Sequence, residues 1–324
     1  MPTTCNTYYF IFSRYFVDVI APNANIGTLY WTWAIGLSSL VAAFLSPFFG
    51  NLSDRSQSSK LLLTISTIIY AFIACTLWFV TPDSLNFLFV ILIIFVGNIS
   101  YEISQIFYNG QLKIICKESN YAKLSGFAWG LGYCGTVVIF LLYYFLFLIP
   151  ENQLFGLDVE KYENIRISFP ITGLWIIIFS LPLYLYFKDP NNKIANKKID
   201  VKKNKNEILK TLKDLKKYTN LVYFLIARLF YMDGINAIFA VAAIYATVVF
   251  GMTTTDIIML GIGTNLAAGI GSLIFSFIEN KFGSKNTIIL SLACIFFISL
   301  IILFVNEKSL FIILAIILST FFGP

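Results

Sequence analysis

Gly50-Asn51-Leu52-Ser53-Asp54-Arg55, with Lys60 a little further on, separates two long apolar stretches. A related turn follows 226 positions later: Ser276, then Asn280-Lys281-Phe282-Gly283-Ser284-Lys285, again between apolar stretches. Each is short and carries two basic residues. A repeat at this distance predicts two similar halves in one membrane chain.

The composition agrees. The chain of 324 residues is 58% apolar and 12% charged; soluble domains sit nearer half and a quarter. Ten apolar stretches recur, near 5–22, 27–50, 61–81, 86–108, 125–149, 166–187, 221–249, 256–278, 287–305 and 309–324. Each is about long enough to cross a bilayer as a helix. Lipid leaves backbone groups no partner outside their own segment, so helices are expected throughout. The fold class is therefore an all-α membrane protein. The first stretch lacks a basic leader and a small-residue cleavage site, so it does not read as a cleavable signal peptide.

Charge distribution sets the expected orientation. Of 23 Lys and Arg, 18 fall in alternate connections: 51–60, 109–124, 188–219 and 279–286. The opposite connections hold Lys161 and Lys308, with Arg166 at a span edge. By the positive-inside rule the basic connections and the N-terminus are cytoplasmic. The net charge of +6 is then a topology signal, and no nucleic-acid partner is expected. Residues 188–219 carry eleven Lys against four acids. They divide the chain into a six-span half (1–187), a linker (188–219) and a second half (220–324). Within the linker, Ile208, Leu212 and Leu215 share one helical face among Lys210, Lys213, Lys216 and Lys217. That pattern fits a solvated connector or a helix lying on an anionic leaflet, where each Lys adds about 1 kcal/mol.

The 226-residue shift carries span four onto 312–334 and span seven onto a start before Met1. Twelve spans are expected, of which ten are present. The repeat predicts a longer parent with about ten further residues of span ten and two more spans of about 20 residues.

Several chemistries are removed by what is missing. The chain has no histidine, hence no imidazole base, relay or zinc ligand. Cys5, Cys75, Cys116, Cys134 and Cys294 show no paired spacing. No Walker-type phosphate loop occurs. No metal or cofactor is expected. Gly130-Leu131-Gly132-Tyr133-Cys134-Gly135 matches a dinucleotide fingerprint, but it lies inside an apolar helix rather than after a strand. With Gly126 it reads as a face for close helix packing, as do Gly261, Gly263, Gly269 and Gly271.

Charges inside spans are costly and mark function. Arg14 and Asp18 lie four apart on span one. Asn98, Glu102, Gln105 and Asn109 form a polar stripe on span four, expected to face a cavity or other helices. Span seven holds Arg228, Asp233 and Asn236; Arg228 and Asp233 stand about 140° apart at 100° per residue. Asp233, near mid-span, is the first candidate for solute contact or coupling. The alternative for each is a structural interhelical pair. Gly50, Asp54, Arg55 and Lys60, with Asn280, Lys281, Gly283 and Lys285, form a candidate cytoplasmic gate, against the plainer reading of charged turns.

The chain resembles the major facilitator superfamily. The 50–60 turn is similar to that superfamily's signature after span two, with Gln57 in place of a glycine and Ser58 and Ser59 in place of basic residues. Four segments resemble the branch of autophagy-related vacuolar amino-acid effluxers and bacterial permeases. They are Phe107-Tyr108-Asn109 leading into Leu112, Leu124 through Tyr133, Phe179 through Pro182, and Tyr231-Met232-Asp233-Gly234 running to Tyr245. Phe12-Ser13-Arg14-Tyr15-Phe16 looks like the end of that branch's first span, and Phe322-Gly323-Pro324 like the start of a late motif. The resemblance implies a twelve-helix bundle of two pseudo-symmetric halves. It also implies alternating-access transport of a small solute such as an amino acid, with proton coupling one option. A monomer in a bacterial inner membrane is expected, the latter from the Lys-, Asn- and Ile-rich makeup. The alternatives are a non-transporting fragment or assembly partner, and a membrane-embedded enzyme, for which no nucleophile–base set converges.

Overall fold

A computed structural model describes residues 11–55, 59–82, 87–117, 120–150, 154–186 and 217–322. Ten helical spans follow one another, and no strand occurs among the described residues. α1 covers residues 11–20 and ends in a π-helical turn, Phe16–Ile20. Then come α2 (Ala24–Arg55), α3 (Ser59–Thr76), α4 (Phe87–Gly110), α5 (Tyr121–Tyr143) and α6 (Ser168–Tyr186). The second set is α7 (Thr219–Phe250), α8 (Thr254–Phe282), α9 (Ser284–Ile302) and α10 (Lys308–Ser319), the last extended by a 3-10 turn, Thr320–Phe322. Among the described residues, eight helices are long and apolar enough to cross a membrane. Most of the linker, residues 188–216, lies outside the described residues.

The ends differ from the sequence reading for local reasons. α2 runs on through Arg55, because Asn51 and Leu52 are compatible with helix and the first breaker-free turn carries the ladder on. Pro47 sits inside it and is tolerated in a membrane helix. α8 starts at a capping box: Thr253 N donates to Asp256 Oδ2 at 2.8 Å and Asp256 N donates to Thr253 Oγ1 at 3.3 Å. It ends at Gly283, whose φ of 80° a side chain would resist.

The core lies at one end of the bundle. Phe16 of α1, Trp31 of α2, Leu77 after α3, Val90 of α4 and Tyr143 of α5 belong to one buried cluster. Phe169 of α6, Ala246 of α7, Ile257 of α8, Ile302 of α9 and Phe311 of α10 complete it. Each comes from the end of its helix opposite the basic turns. Rings interlock there: Phe12 meets Phe169 edge-on at 5.0 Å, and Phe250 stacks on Phe311 at 4.5 Å. Lipid is as apolar as these side chains, so dispersion at close packing holds the end together rather than water exclusion. Polar ties add to it. Tyr15 Oη donates to the Val80 carbonyl at 2.8 Å. Arg166, 5% exposed, donates through Nε to the Trp78 carbonyl at 2.8 Å and lies over the Trp78 ring. Lys308 pairs with Asp256 at 2.9 Å, joining α10 to α8.

The two halves meet along α5 and α8, where small residues face each other. A Cβ added to Gly126 would fall 2.7 Å from Ser276 Cβ and 3.0 Å from the Ser272 carbonyl. Gly130 faces Ser272, Tyr133 faces Gly269, and Phe140 faces Gly261. Residue numbers fall on one helix as they rise on the other, so the pair is antiparallel. The glycine-rich stretch of α5 is thus a packing face, as the sequence predicts. Gly271 likewise brings α8 against the backbone of Thr320.

Candidate functional site

The other end of the bundle holds a cavity of about 340 Å³ between the halves. One helix face from each of several elements builds it. α5 contributes Ser125, Trp129 and Tyr133, spaced four apart. α7 contributes Arg228, Tyr231, Met232, Ile235, Asn236 and Phe239, all within one helical face. Ser284, Thr287, Ser291 and Ile295 repeat at three and four along α9. Tyr101 of α4 closes one side, and Phe321 and Phe322 another. Glu279 and Ser284 sit at the basic-turn ends of α8 and α9 and line its mouth. Ser284 Oγ donates to Glu279 Oε1 at 2.5 Å.

The chemistry of the wall is mixed. Rings dominate: Trp129 lies 6.0 Å from Tyr133, and Phe239 lies 4.6 Å from Phe322. Among the described lining residues Arg228 is the only cation and Glu279 the only carboxylate. Arg228 makes no ion pair among the described residues and is exposed. A guanidinium, a carboxylate, hydroxyls and rings around one water-accessible space can hold a small polar solute with an apolar part.

The sequence candidates distribute unevenly. Arg228 and Asn236 line the cavity. Asp233 is exposed and is not among the lining residues. At 100° per residue it points about 130° from the middle of the lining face of α7, which explains its placement. Asn98, 4% exposed, faces α2: its Nδ2 donates to Ser38 Oγ at 2.9 Å and Ser39 Oγ at 3.1 Å. Glu102 and Gln105 are half-buried on α4 and do not line the cavity; Asn109 is exposed. Arg14 and Asp18 pair at 3.0 Å, at the far side of the molecule. Nothing lies within 4 Å of where a Cβ on Gly50 would stand. The side chains of Asp54, Arg55 and Asn280 lie outside the described residues. Lys60 is half-buried, Lys285 is exposed, and Lys281 lies over the Phe282 ring at 5.8 Å. Tyr101, Trp129, Tyr133, Tyr231, Glu279, Thr287 and Ser291 line the cavity without having been sequence candidates for the site, although Trp129, Tyr133 and Tyr231 fall in segments that carry the family resemblance. The four-residue spacing of Ser125, Trp129 and Tyr133 was the available signal.

Two helical halves enclosing a cavity, packed at one end and parted at the other, define a membrane transporter of the major facilitator type. The comparisons agree. The family model described as "Vacuole effluxer Atg22 like" matches residues 26–122 and 115–306, so the chain belongs to that family. It is 23% identical over 305 residues to the "Uncharacterized MFS-type transporter YxiO" of Bacillus subtilis, spanning 92% of this chain and 68% of that protein. It is 25% identical over 170 residues to "Autophagy-related protein 22" of Cryptococcus neoformans, spanning 51% of this chain and 30% of that one. The fold is similar to a partially occluded inward-open structure of the xylose transporter XylE from E. coli. That likeness has a TM-score of 0.62 at 14% identity, over 99% of this chain and 80% of that one. It is also similar to a bacterial homologue of the human lysosomal transporter Spinster, inward-facing and unoccupied. There the TM-score is 0.57 at 17% identity, over 99% of this chain and 72% of that one. These structural relatives, like YxiO, are transporters rather than enzymes.

Proposed function

We propose that the protein is a secondary carrier of a small zwitterion, an amino acid in the first instance, working by alternating access. The observation that carries this reading is the presence of both Arg228 and Glu279 in the wall of one cavity. A free amino acid presents a carboxylate to the first and an ammonium group to the second, each a charge-assisted contact. The rings of Trp129, Tyr133 and Phe239 receive its side chain. An uncharged sugar uses neither charge.

In this reading residues 1–187 and 220–324 are the two moving halves, with 188–219 as the connector between them. The cavity mouth lies on the face of the basic turns. The positive-inside rule puts that face, and the N-terminus, in the cytoplasm of a bacterial inner membrane. The turns at 50–60 and 279–286 then flank the mouth and act as its gate. The unit of function is the monomer, since both walls come from one chain.

Glu102 and Asp233 keep a separate role as proton-carrying groups. A carboxylate within a span costs more than packing returns. Off the cavity wall, they act on coupling rather than on solute contact. The test is exchange of labelled amino acids by the protein in liposomes. Asp233→Asn is expected to keep solute exchange within about threefold of wild type while removing the pH dependence of uptake. An unchanged pH profile removes Asp233 from the mechanism. Absence of exchange for every common amino acid, with folded protein present, contradicts the zwitterion reading.

A further inference from the structure

A second pocket, of about 230 Å³, lies on the opposite face from the central cavity. Its walls come from both halves. Ile11, Arg14, Tyr15, Asp18 and Val19 belong to α1, Tyr162 and Ile165 to the connection before α6, and Thr254, Ile257 and Ile258 to α8. None of these residues lines the central cavity.

Three features set this pocket apart from a packing gap. The first is the guanidinium of Arg14. Its Nε is spent on Asp18 Oδ2 at 3.0 Å, yet its Nη1 is buried with no acceptor among the described residues. A buried donor without an acceptor is costly, and more so on a charged group. The second is local backbone. Asp18 lies in the π-helical turn Phe16–Ile20, a form that recurs at functional sites. Tyr162 is held left-handed, at φ 57° and ψ 25°, which a bulky residue seldom adopts. Its ring stands 6.0 Å from that of Tyr15. The third is the remaining wall: Val19 and Ile165 are aliphatic and half-buried, laid over the buried Ile257 and Ile258. One side of the pocket thus presents the guanidinium of the Arg14–Asp18 pair and the other a hydrocarbon surface.

We propose that this pocket binds a small monocarboxylate with an apolar body, its carboxylate on Arg14 and its body against Val19 and Ile165. The pair with Asp18 orients the guanidinium and leaves its far edge for the ligand. A compact inorganic anion supplies the charge but leaves the aliphatic wall without contact. An amine of the same shape meets the guanidinium with like charge. The site lies away from Arg228 and Glu279 and shares no lining residue with the central cavity.

The experiment uses the purified protein in lipid nanodiscs with benzoate as probe, read by saturation-transfer NMR and by thermal stabilisation. Benzylamine and inorganic phosphate serve as comparators. Saturable benzoate binding is expected, with no saturable binding of benzylamine and at least tenfold weaker binding of phosphate. Arg14→Gln is expected to weaken benzoate binding at least tenfold. Asp18→Asn removes the neighbouring negative charge and is expected to tighten it at least threefold. Arg228→Gln removes the carboxylate partner of the central cavity and is expected to leave a saturable benzoate component, which Arg14→Gln removes. Loss of all saturable binding in Arg228→Gln instead places the ligand in the central cavity and overturns the proposal. So does the absence of saturable benzoate binding, or equal binding in Arg14→Gln. If Arg14→Gln does not yield folded protein, Asp18→Asn decides alone, and an unchanged benzoate affinity there overturns the site.

Discussion

Gly126→Leu is expected to destabilise the folded bundle by about 3 kcal/mol, the upper part of the range for overpacking a close contact. The reason is geometric. Even a methyl group at this position meets Ser276 Cβ at 2.7 Å and the Ser272 carbonyl at 3.0 Å. Ser276 is a short side chain fixed on a helix, and the carbonyl belongs to the backbone of α8, so neither yields by rotating away. α5 and α8 must part, and the contacts at Gly130, Tyr133 and Phe140 loosen with them. Gly126→Ala is milder and gives the control. Its clash is chiefly with the Ser276 Cβ, so Ser276→Gly in the same chain is expected to restore about half of the lost stability. Unfolding in mild detergent, followed for both single variants and the double, measures this coupling. Additive losses contradict the close approach of the two helices.

Arg228→Gln is expected to raise the concentration for half-maximal uptake between about tenfold and a hundredfold. A hydrogen bond to a charged group contributes about 1.5–3 kcal/mol, and 1.4 kcal/mol is a factor of ten. Arg228 is the only cation among the described lining residues, so no neighbour replaces it. Arg228→Glu places two carboxylates in the wall with Glu279 and is expected to abolish uptake of an anionic or zwitterionic solute. The side chain is exposed, so the fold should be retained. Uptake into liposomes, with folded protein quantified by gel filtration, separates the two effects. Wild-type uptake in Arg228→Glu contradicts the placement of solute beside α7.

The architecture was legible because lipid imposes simple rules on sequence. Spans of about 20 apolar residues and basic connections on alternate sides follow from the cost of burying backbone and charge. Among the described residues, each of the ten stretches contains a helix. Gly126 and Gly130 were readable as a packing face for the same reason. An apolar helix gains nothing from glycine except close approach. The Arg14–Asp18 pair was readable from its spacing of four, but its position on the far face was not.

The cavity was harder to see. Trp129, Tyr133, Thr287 and Ser291 are residue types that apolar helices use freely for packing and for bonds to their own backbone. Only the packing of α5, α7 and α9 shows which face is left open. Charge inside a span singled out Asp233 and missed Glu279, which sits at a helix end where acids are common. On α7, Arg228 and Asp233 are about 140° apart, so one helix cannot present both to the same space. The sequence fixes that angle but not which of the two faces inward. Asn98 shows the other outcome, a polar residue turned to Ser38 and Ser39 on a neighbouring helix.

The cavity opens on the face of the basic turns while the opposite face is closed by the aromatic core. Single cysteines at Ser125, half-buried on the cavity wall, and at Asn306, on the opposite connection, test it on a cysteine-less background. The reagent is an impermeant maleimide, applied to sealed vesicles of both orientations. Ser125→Cys is expected to react in inside-out vesicles and to be protected in right-side-out ones, with Asn306→Cys showing the reverse. Ser125→Cys reacting only from the outside, or equally from both sides, would contradict this placement.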